Sequence, residues 1–283
     1  MVKNNKFFSD PVYLFWTGGY DSTFRLCQLL LLEKVNVQPI YISDPYLDNK
    51  KTSKTRRKNH NQEYDSMEKI KLKLNKDYPA TKQLLLPTID INEIKIDREI
   101  SDNMKQLKKR KYVRREVCQY GGMAQVTKDM NKHIELCAEI GGFFHKRVHK
   151  KLKCYGKECE YKDCLVKNTK ELDKEDHCLK IFNKLVLPLI AYTKKDMYDI
   201  SLQHGFNHIL DMTWSCWYPR NNKPCGRCIM CRDRKKMTEN AIEHFSDSSG
   251  NYVVMNKKNN NVRICLFILL FLLIIVLLNL KKY

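Results

Sequence analysis

The sequence predicts an α/β fold built on a doubly wound parallel sheet. Apolar segments typical of buried strands alternate along the chain with segments of helical spacing. The first predicted strand runs through a glycine pair directly into a helix, as in a βα unit. The chain has 283 residues, of which 43% are hydrophobic, which is enough to bury the core of such a domain.

Strands and helices are predicted in alternating order. Apolar runs predict strands at 11–17, 37–43, 82–91, 141–148 and 184–190. Helical spacing predicts helices at 22–33, 63–74, 123–139 and 193–205. The last helix has the clearest boundaries, because Thr193 can cap its first turn, Asp196 follows three residues later and Gly205 suits its end.

Four parts of the chain are expected from composition. Residues 1–210 form the α/β domain, 211–245 a cysteine knuckle with a helix, 246–261 a polar linker, and 262–283 a membrane anchor. Within the last part, 17 residues without a charge would span roughly 25 Å as a helix. A buried core helix is the alternative. We expect a single-pass C-terminal transmembrane helix, with the main domain in the cytosol.

Charge and cysteine content restrict the possible partners and compartments. The net charge of +20 favours phosphate-bearing partners such as nucleotides, nucleic acid or anionic lipid. A bias toward lysine and asparagine explains the charge equally well. The 12 cysteines are predicted to be reduced in a cytosolic compartment, because residues 1–10 lack an apolar signal-peptide core and four cysteines have metal-ligand spacing.

The segment TGGYDST, at residues 17–23, predicts a phosphate-binding loop. Its two glycines let a ligand approach the main chain, and the helix that follows presents its positive end. The carboxylate of Asp21 suits Mg²⁺ or an orienting role. An ordinary tight turn between strand and helix is the alternative. The predicted binding residues are Thr17, Gly18, Gly19, Asp21, Ser22 and Thr23.

Four cysteines in the pattern C-x8-C-x2-C-x2-C predict a closed tetrahedral zinc site. The predicted ligands are Cys216, Cys225, Cys228 and Cys231. Because the protein supplies all four ligands, the zinc is expected to be structural; free or redox-active thiols are the alternative. A second, looser group could bind another metal and comprises Cys154, Cys159, Cys164, His177 and Cys178.

These motifs carry a resemblance to a known family. TGGYDS resembles the Ser-Gly-Gly-x-Asp-Ser signature of the PP-loop ATP pyrophosphatases, with Thr17 in place of the first serine. Residues 213–216 and 224–234 are similar to the C-terminal zinc motif of 7-cyano-7-deazaguanine synthases within that superfamily. The family's Tyr-Val-Pro-Gly-Arg-Asn motif is kept only as Tyr112 and Val113, and residues 161–164 resemble its Tyr-x-Asp-Cys segment.

The resemblance implies an adenine nucleotide alpha hydrolase-like fold and an ATP-dependent, C–N bond-forming ligase. Such an enzyme adenylates 7-carboxy-7-deazaguanine, amidates it with ammonia and dehydrates the amide to a nitrile. It also implies ATP, Mg²⁺ and Zn²⁺ as cofactors and Asp21 and Ser22 as catalytic residues. The zinc knuckle is expected to stabilise the end of the site where the substrate binds. The alternatives are a PP-loop ATPase that modifies another substrate such as tRNA, or a non-catalytic, zinc-braced, membrane-anchored protein.

Overall fold

The part of the chain that the structure describes contains a sheet of five strands, all parallel, so the predicted doubly wound α/β class is confirmed. The computed structural model describes residues 10–43, 58–112, 119–140, 142, 144–146 and 174–242. The strands are β1 Val12–Phe15, β2 Val37–Ile42, β3 Ile89–Ile91, β4 Ile134–Glu135 and β5 Leu185–Val186. They lie in the order β3-β2-β1-β4-β5, which places β1 at the centre.

Helices connect the strands and follow the last one. They are α1 Tyr20–Cys27, continued by a π-helix at Gln28–Glu33, α2 His60–Asp77, α3 Thr81–Leu84, α4 Arg98–Lys109, α5 Gln119–Asp129, a 3₁₀ helix at Lys174–Phe182, α6 Lys194–Gln203, α7 Asn207–Asp211 and α8 Ile229–Ile242. The predicted boundaries of α6 are confirmed. The Thr193 hydroxyl accepts a hydrogen bond from the Asp196 N–H at 3.1 Å, and the Asp196 carboxylate accepts one from the Thr193 N–H at 2.8 Å.

Three predicted elements are wrong in part. The helix predicted at 123–139 ends at 129 in the structure, and its second half contains β4. In the strand predicted at 141–148, the described residues 144–146 are helical. Of the strand predicted at 82–91, the first part is α3 and only Ile89–Ile91 forms a strand. A two-residue strand such as β4 is too short to show an alternating pattern, so apolar spacing could not separate it from the preceding helix.

Apolar side chains cover both faces of the sheet. One cluster joins strand residues such as Phe15 to α4, α5 and the 3₁₀ helix, and in it Tyr120, Phe144 and Phe182 meet edge to face. The other packs α1 against the region of α6 and α7, where the ring centroid of Phe24 lies 5.9 Å from that of Phe206. The sheet is therefore sandwiched between two helical layers, as a doubly wound fold requires.

The chain divides into two compact units, Met1–Cys231 and Arg232–Tyr283. Of the second unit, the structure describes only the residues of α8. The predicted linker and membrane anchor therefore lie outside the described residues. Among the helices that are described, none combines the length and apolar character needed to cross a bilayer.

A buried ion pair joins α1 to β4, the strand beside the central one. Arg25 donates to both carboxylate oxygens of Glu135 in β4, at 2.8 and 2.9 Å, and to Glu33 at 2.5 Å. The side chains of Arg25 and Glu135 are only 6% and 7% exposed. Burial alone would lower the pKa of Arg25, but the two carboxylates outweigh it and raise that pKa. This pair orients α1, and with it the glycine loop that precedes the helix.

We expect Arg25→Met to lower the free energy of unfolding by about 3–5 kcal/mol, because it leaves the Glu135 carboxylate buried without its partner. Urea denaturation followed by circular dichroism measures the change. Arg98→Met is the matched control, since Arg98 is 96% exposed and pairs only loosely with Asp102 at 3.8 Å. Equal effects of the two substitutions would show that the buried pair does not stabilise the fold.

Candidate active site and metal centre

The glycine loop lies at the carboxyl end of β1, in the middle of the sheet. From β1 the chain proceeds to β2 and β3 on one side, and β4 and β5 lie on the other. The order of strands therefore reverses between β1 and β4. In open parallel sheets, ligands bind at the crevice that such a reversal creates at the carboxyl ends of the strands.

The torsion angle at position 18 and the close packing around it both favour glycine there. Its φ is +65°, and a Cβ at this position would lie 3.1 Å from the Glu63 carbonyl oxygen and from the Met67 side chain in α2. Its own carbonyl accepts hydrogen bonds from the Trp214 N–H at 2.9 Å and from the Ser66 hydroxyl at 3.3 Å. The loop is thus held between α2 and the segment that leads into the cysteine knuckle.

Gly19 caps α1 in an extended conformation, and the first N–H groups of the helix have no acceptor within the helix itself. The three predicted hydroxyl groups differ in their placement. Thr17 is half-buried, and Ser22 is 7% exposed with its hydroxyl 3.4 Å from the Gly19 carbonyl. Thr23 has no exposed surface, and its hydroxyl accepts a hydrogen bond from the Trp16 indole at 3.0 Å. Thr23 therefore faces the core rather than a ligand.

A lysine that sequence reasoning missed lies against the loop. The ammonium of Lys194, the first residue of α6, contacts the carboxylate of Asp21 and lies 3.0 Å from that of Glu139. It also lies 5.5 Å from the centre of the Tyr20 ring. Burial would lower the pKa of Lys194, but Asp21 and Glu139 raise it, so the ammonium stays charged.

One feature of the sequence could have identified this lysine. A cation at the first position of a helix opposes the helix dipole, so a capped helix that begins with Lys194 suggests an acidic partner nearby. Glu139 follows β4 at the carboxyl edge of the sheet, where the glycine loop also lies. Only the tertiary structure shows that Glu139 is paired with Lys194. Chemically, the lysine could bind phosphate, and the carboxylates of Asp21 and Glu139 are oxygen donors of the kind that Mg²⁺ prefers.

The four predicted cysteine ligands come together. Their sulfur atoms all lie within 4.8 Å of one another, and those of Cys225 and Cys231 are 3.9 Å apart. Backbone N–H groups point at the sulfurs: that of Cys225 donates to Cys216 at 3.2 Å, and that of Cys228 donates to Cys225 at 3.4 Å. Gly226 adopts a φ of +69°, which allows the tight turn between ligands.

The electrostatic environment differs among the cysteines of the cluster. Hydrogen bonds from the Arg227 and Cys228 N–H groups lower the pKa of Cys225 to about 6. Burial raises the pKa of Cys216, and it raises that of Cys231 to about 12. Four sulfurs at this separation fit tetrahedral Zn²⁺, whose bonds to sulfur of about 2.3 Å place neighbouring sulfurs about 3.8 Å apart.

A short hairpin fills the interval between the first two ligands. Arg220 and Lys223 exchange two backbone hydrogen bonds of 2.9 Å, and the intervening Asn221 and Asn222 have φ of +48° and +59°. Asparagine tolerates this left-handed conformation better than most residues. The Asn222 side chain accepts a hydrogen bond of 2.9 Å from Gln62 in α2. The hairpin therefore contacts the same helix that packs on Gly18.

Several other predicted features are placed elsewhere or are not described. Cys178 is buried in the core cluster, while Cys154, Cys159 and Cys164 lie outside the described residues, so the second metal site stays a prediction. Tyr112 packs against the same core, and 161–164 are not described.

A separate cavity of about 320 Å³ near the end of β3 is lined by Ile91, Ile94, Gln125 and their neighbours, and by none of the predicted site residues.

The parallel sheet with a glycine loop at its strand reversal is consistent with the PP-loop class of nucleotide-binding folds, and the cysteine cluster is compatible with a zinc knuckle. Within that class, residues 157–242 match the family model of Queuosine biosynthesis protein QueC. This stretch contains α6 and all four clustered cysteines. The predicted resemblance is therefore confirmed over this part of the chain.

Curated relatives point to the same family. The chain is 40% identical over 62 residues to a 7-cyano-7-deazaguanine synthase from Prochlorococcus marinus, a match that covers 22% of this chain and 25% of the relative. It is 41% identical over 58 residues to a 7-cyano-7-deazaguanine synthase from Campylobacter curvus, covering 20% and 25%. The chain thus spans about a quarter of the length of these relatives.

We expect the cysteine cluster to bind Co²⁺, used as a spectroscopic probe for Zn²⁺, with the strong thiolate charge-transfer absorption of a four-sulfur site. Cys228→Ser should weaken Co²⁺ binding at least about tenfold, because it removes one of four ligands. Cys27→Ala is the matched control, since Cys27 is buried in α1 and is not part of the cluster. Spectroscopic titration measures both affinities, and unchanged binding by Cys228→Ser would exclude this residue as a ligand.

Proposed function

We propose that this protein is an ATP-dependent enzyme that resembles 7-cyano-7-deazaguanine synthase and converts a 7-deazapurine carboxylate to a nitrile. The observation that carries the proposal is the direct hydrogen bond between the glycine loop and the segment entering the cysteine knuckle. This contact supports the proposal because it joins the two motifs of the resemblance, one of which lies in the matched stretch, beside the strand reversal.

The proposed reaction has two activation steps. The substrate carboxylate oxygen attacks the α-phosphorus of ATP, which releases pyrophosphate and forms an acyl adenylate. Ammonia displaces AMP and gives the primary amide. The amide oxygen then attacks the α-phosphorus of a second ATP and releases a second pyrophosphate. Cleavage of the C–O bond to AMP, with loss of two N–H protons, leaves the nitrile.

The glycine loop would bind the pyrophosphate portion of ATP. The start of α1 supplies N–H groups and a positive dipole end, and Thr17 and Ser22 supply hydroxyls beside them. Asp21 is the residue best placed to hold Mg²⁺, with Glu139 beside it; the metal would neutralise charge that develops on the departing pyrophosphate. Because Thr23 faces the core, its proposed contribution is to hold α1 against Trp16.

Lys194 is proposed to act on the phosphates as well. Its ammonium lies at the crevice beside Asp21, and the raised pKa keeps it charged at neutral pH. In the structure it neutralises two carboxylates. With Mg²⁺ held by Asp21 and Glu139, the Lys194 ammonium would be free to contact the phosphate oxygens where negative charge develops.

A second candidate function is ATP-dependent modification of another substrate, including tRNA. It is favoured by the net charge of +20 and by the absence of Gly-Arg-Asn after Tyr112 and Val113. A basic surface attracts nucleic acid whatever the nucleotide sequence.

We also retain, as a proposal from the sequence alone, a membrane anchor within 262–283 that leaves the enzymatic domain in the cytosol.

The test of the activity uses the full-length chain with Mg-ATP, ammonia and 7-carboxy-7-deazaguanine, and mass spectrometry of the products. We expect a nitrile product and AMP, both lost in Asp21→Asn and kept in the control Asp199→Asn, which changes an exposed carboxylate of α6. AMP formation only with tRNA or another added substrate would favour the second candidate. No binding of Mg-ATP to folded, zinc-loaded protein would contradict both enzymatic proposals.

We expect Lys194→Gln to lower kcat about 100-fold or more, in the range seen when one group that stabilises transition-state charge is removed. Lys195→Gln is the matched control, because its side chain is 71% exposed and pairs with Asp199 on the outside of α6. Steady-state kinetics of AMP release measures both. A rate for Lys194→Gln equal to that of Lys195→Gln would exclude a catalytic role for this ammonium.

A further inference from the structure

The segment that enters the cysteine knuckle is attached to the glycine loop by its backbone. The N–H of Trp214 donates to the Gly18 carbonyl at 2.9 Å, and a Cβ on Gly19 would lie 3.7 Å from the Trp214 carbonyl oxygen. The Trp214 indole donates to the carbonyl of Cys216, the first predicted metal ligand, at 2.8 Å. Only Ser215 therefore separates the first predicted metal ligand from a backbone donor to the loop.

Ser66 in α2 reinforces this attachment. Its hydroxyl lies 2.8 Å from the Met212 carbonyl and 3.3 Å from the Gly18 carbonyl, so it bridges the knuckle segment and the loop. The residue is 5% exposed, which shields both contacts from water. One turn earlier in α2, Gln62 donates to Asn222 at the tip of the knuckle hairpin. One helix thus supports both the loop and the knuckle.

We propose that metal binding by the cysteine cluster holds the glycine loop in its binding conformation through Trp214 and Ser66, which makes Ser66 a positioning residue for that loop. This inference rests on the proposed nucleotide-binding role of the loop but concerns the coupling alone. Loss of the metal frees Cys216 and the segment behind it, and the Gly18 carbonyl loses its backbone donor. Coupling between two binding sites is reciprocal. The factor by which the bound metal raises the affinity of the loop for Mg-ATP is therefore also the factor by which bound Mg-ATP raises the affinity of the cluster for its metal.

Hydrogen exchange measured by mass spectrometry on the full-length chain tests the coupling without any nucleotide. We expect removal of Zn²⁺ to speed exchange about fivefold or more in peptides that cover 13–24 and 210–217, with α4 unchanged as an internal reference. Faster exchange confined to 210–231 would overturn the inference.

Ser66→Ala gives a second measurement that does not require metal removal. In metal-loaded protein we expect it to speed exchange in peptides that cover 13–24 and to weaken Co²⁺ binding by the cluster, although Ser66 is not a ligand. Ser201→Ala is the matched control: Ser201 is fully buried in α6, and its hydroxyl donates to the Tyr198 carbonyl at 2.7 Å within its own helix. If both variants behave alike, Ser66 acts only as a buried hydroxyl and the inference fails.

Reciprocity distinguishes this inference from the proposed function. With Mg²⁺ and α,β-methylene-ATP as the probe, we expect Co²⁺ affinity to rise about fivefold or more in the unmodified chain and less in Ser66→Ala. Nucleotide binding with unchanged Co²⁺ affinity overturns the coupling and leaves the proposed function standing. If the probe does not bind while exchange in 13–24 still responds to Zn²⁺, the coupling stands and the proposed function fails.

Discussion

The close approach of α2 to Gly18 is the constraint on which the rest of the site depends. A Cβ on this residue would crowd the α2 backbone, only 3.1 Å from the Glu63 carbonyl oxygen, and its positive φ turns the chain from β1 into α1. The same approach lets Ser66 reach the Gly18 carbonyl, whose other donor comes from Trp214, close to the cysteine knuckle. A larger residue here would displace the loop, the helix start and the knuckle segment together.

Two groups of charged side chains lie near the glycine loop, one buried and one at the crevice. Arg25 and Glu135 form a closed, buried pair that fixes α1 against β4. Four residues beyond Glu135, Glu139 shares Lys194 with Asp21 at the loop itself. The first pair is sealed from solvent and serves the fold, whereas the second group lies partly exposed at the strand reversal, where a ligand with its own charges can rearrange it.

The cysteine cluster and the glycine loop differ in how far their conformations depend on distant parts of the chain. All four cysteines of the cluster lie within 16 residues of sequence, and local turns at Gly226 and at the asparagine pair bring the sulfurs together. The glycine loop has no such independence. Its conformation depends on donors from α2 and from a segment almost 200 residues later in the chain, because a strand-to-helix turn supplies few contacts of its own.

From sequence alone, the fold class, the glycine loop, the grouping of the four cysteines and the capped start of α6 could be predicted, because each depends on residues close together in the chain. The two-residue strand β4, the partners of Lys194 and the contact between knuckle and loop could not. Each of these depends on packing between distant segments: burial made a strand of residues whose spacing also suited a helix, and the order of strands placed Glu139 beside Asp21. Local chemistry was determined by the sequence, whereas the tertiary structure decided which local groups share one site.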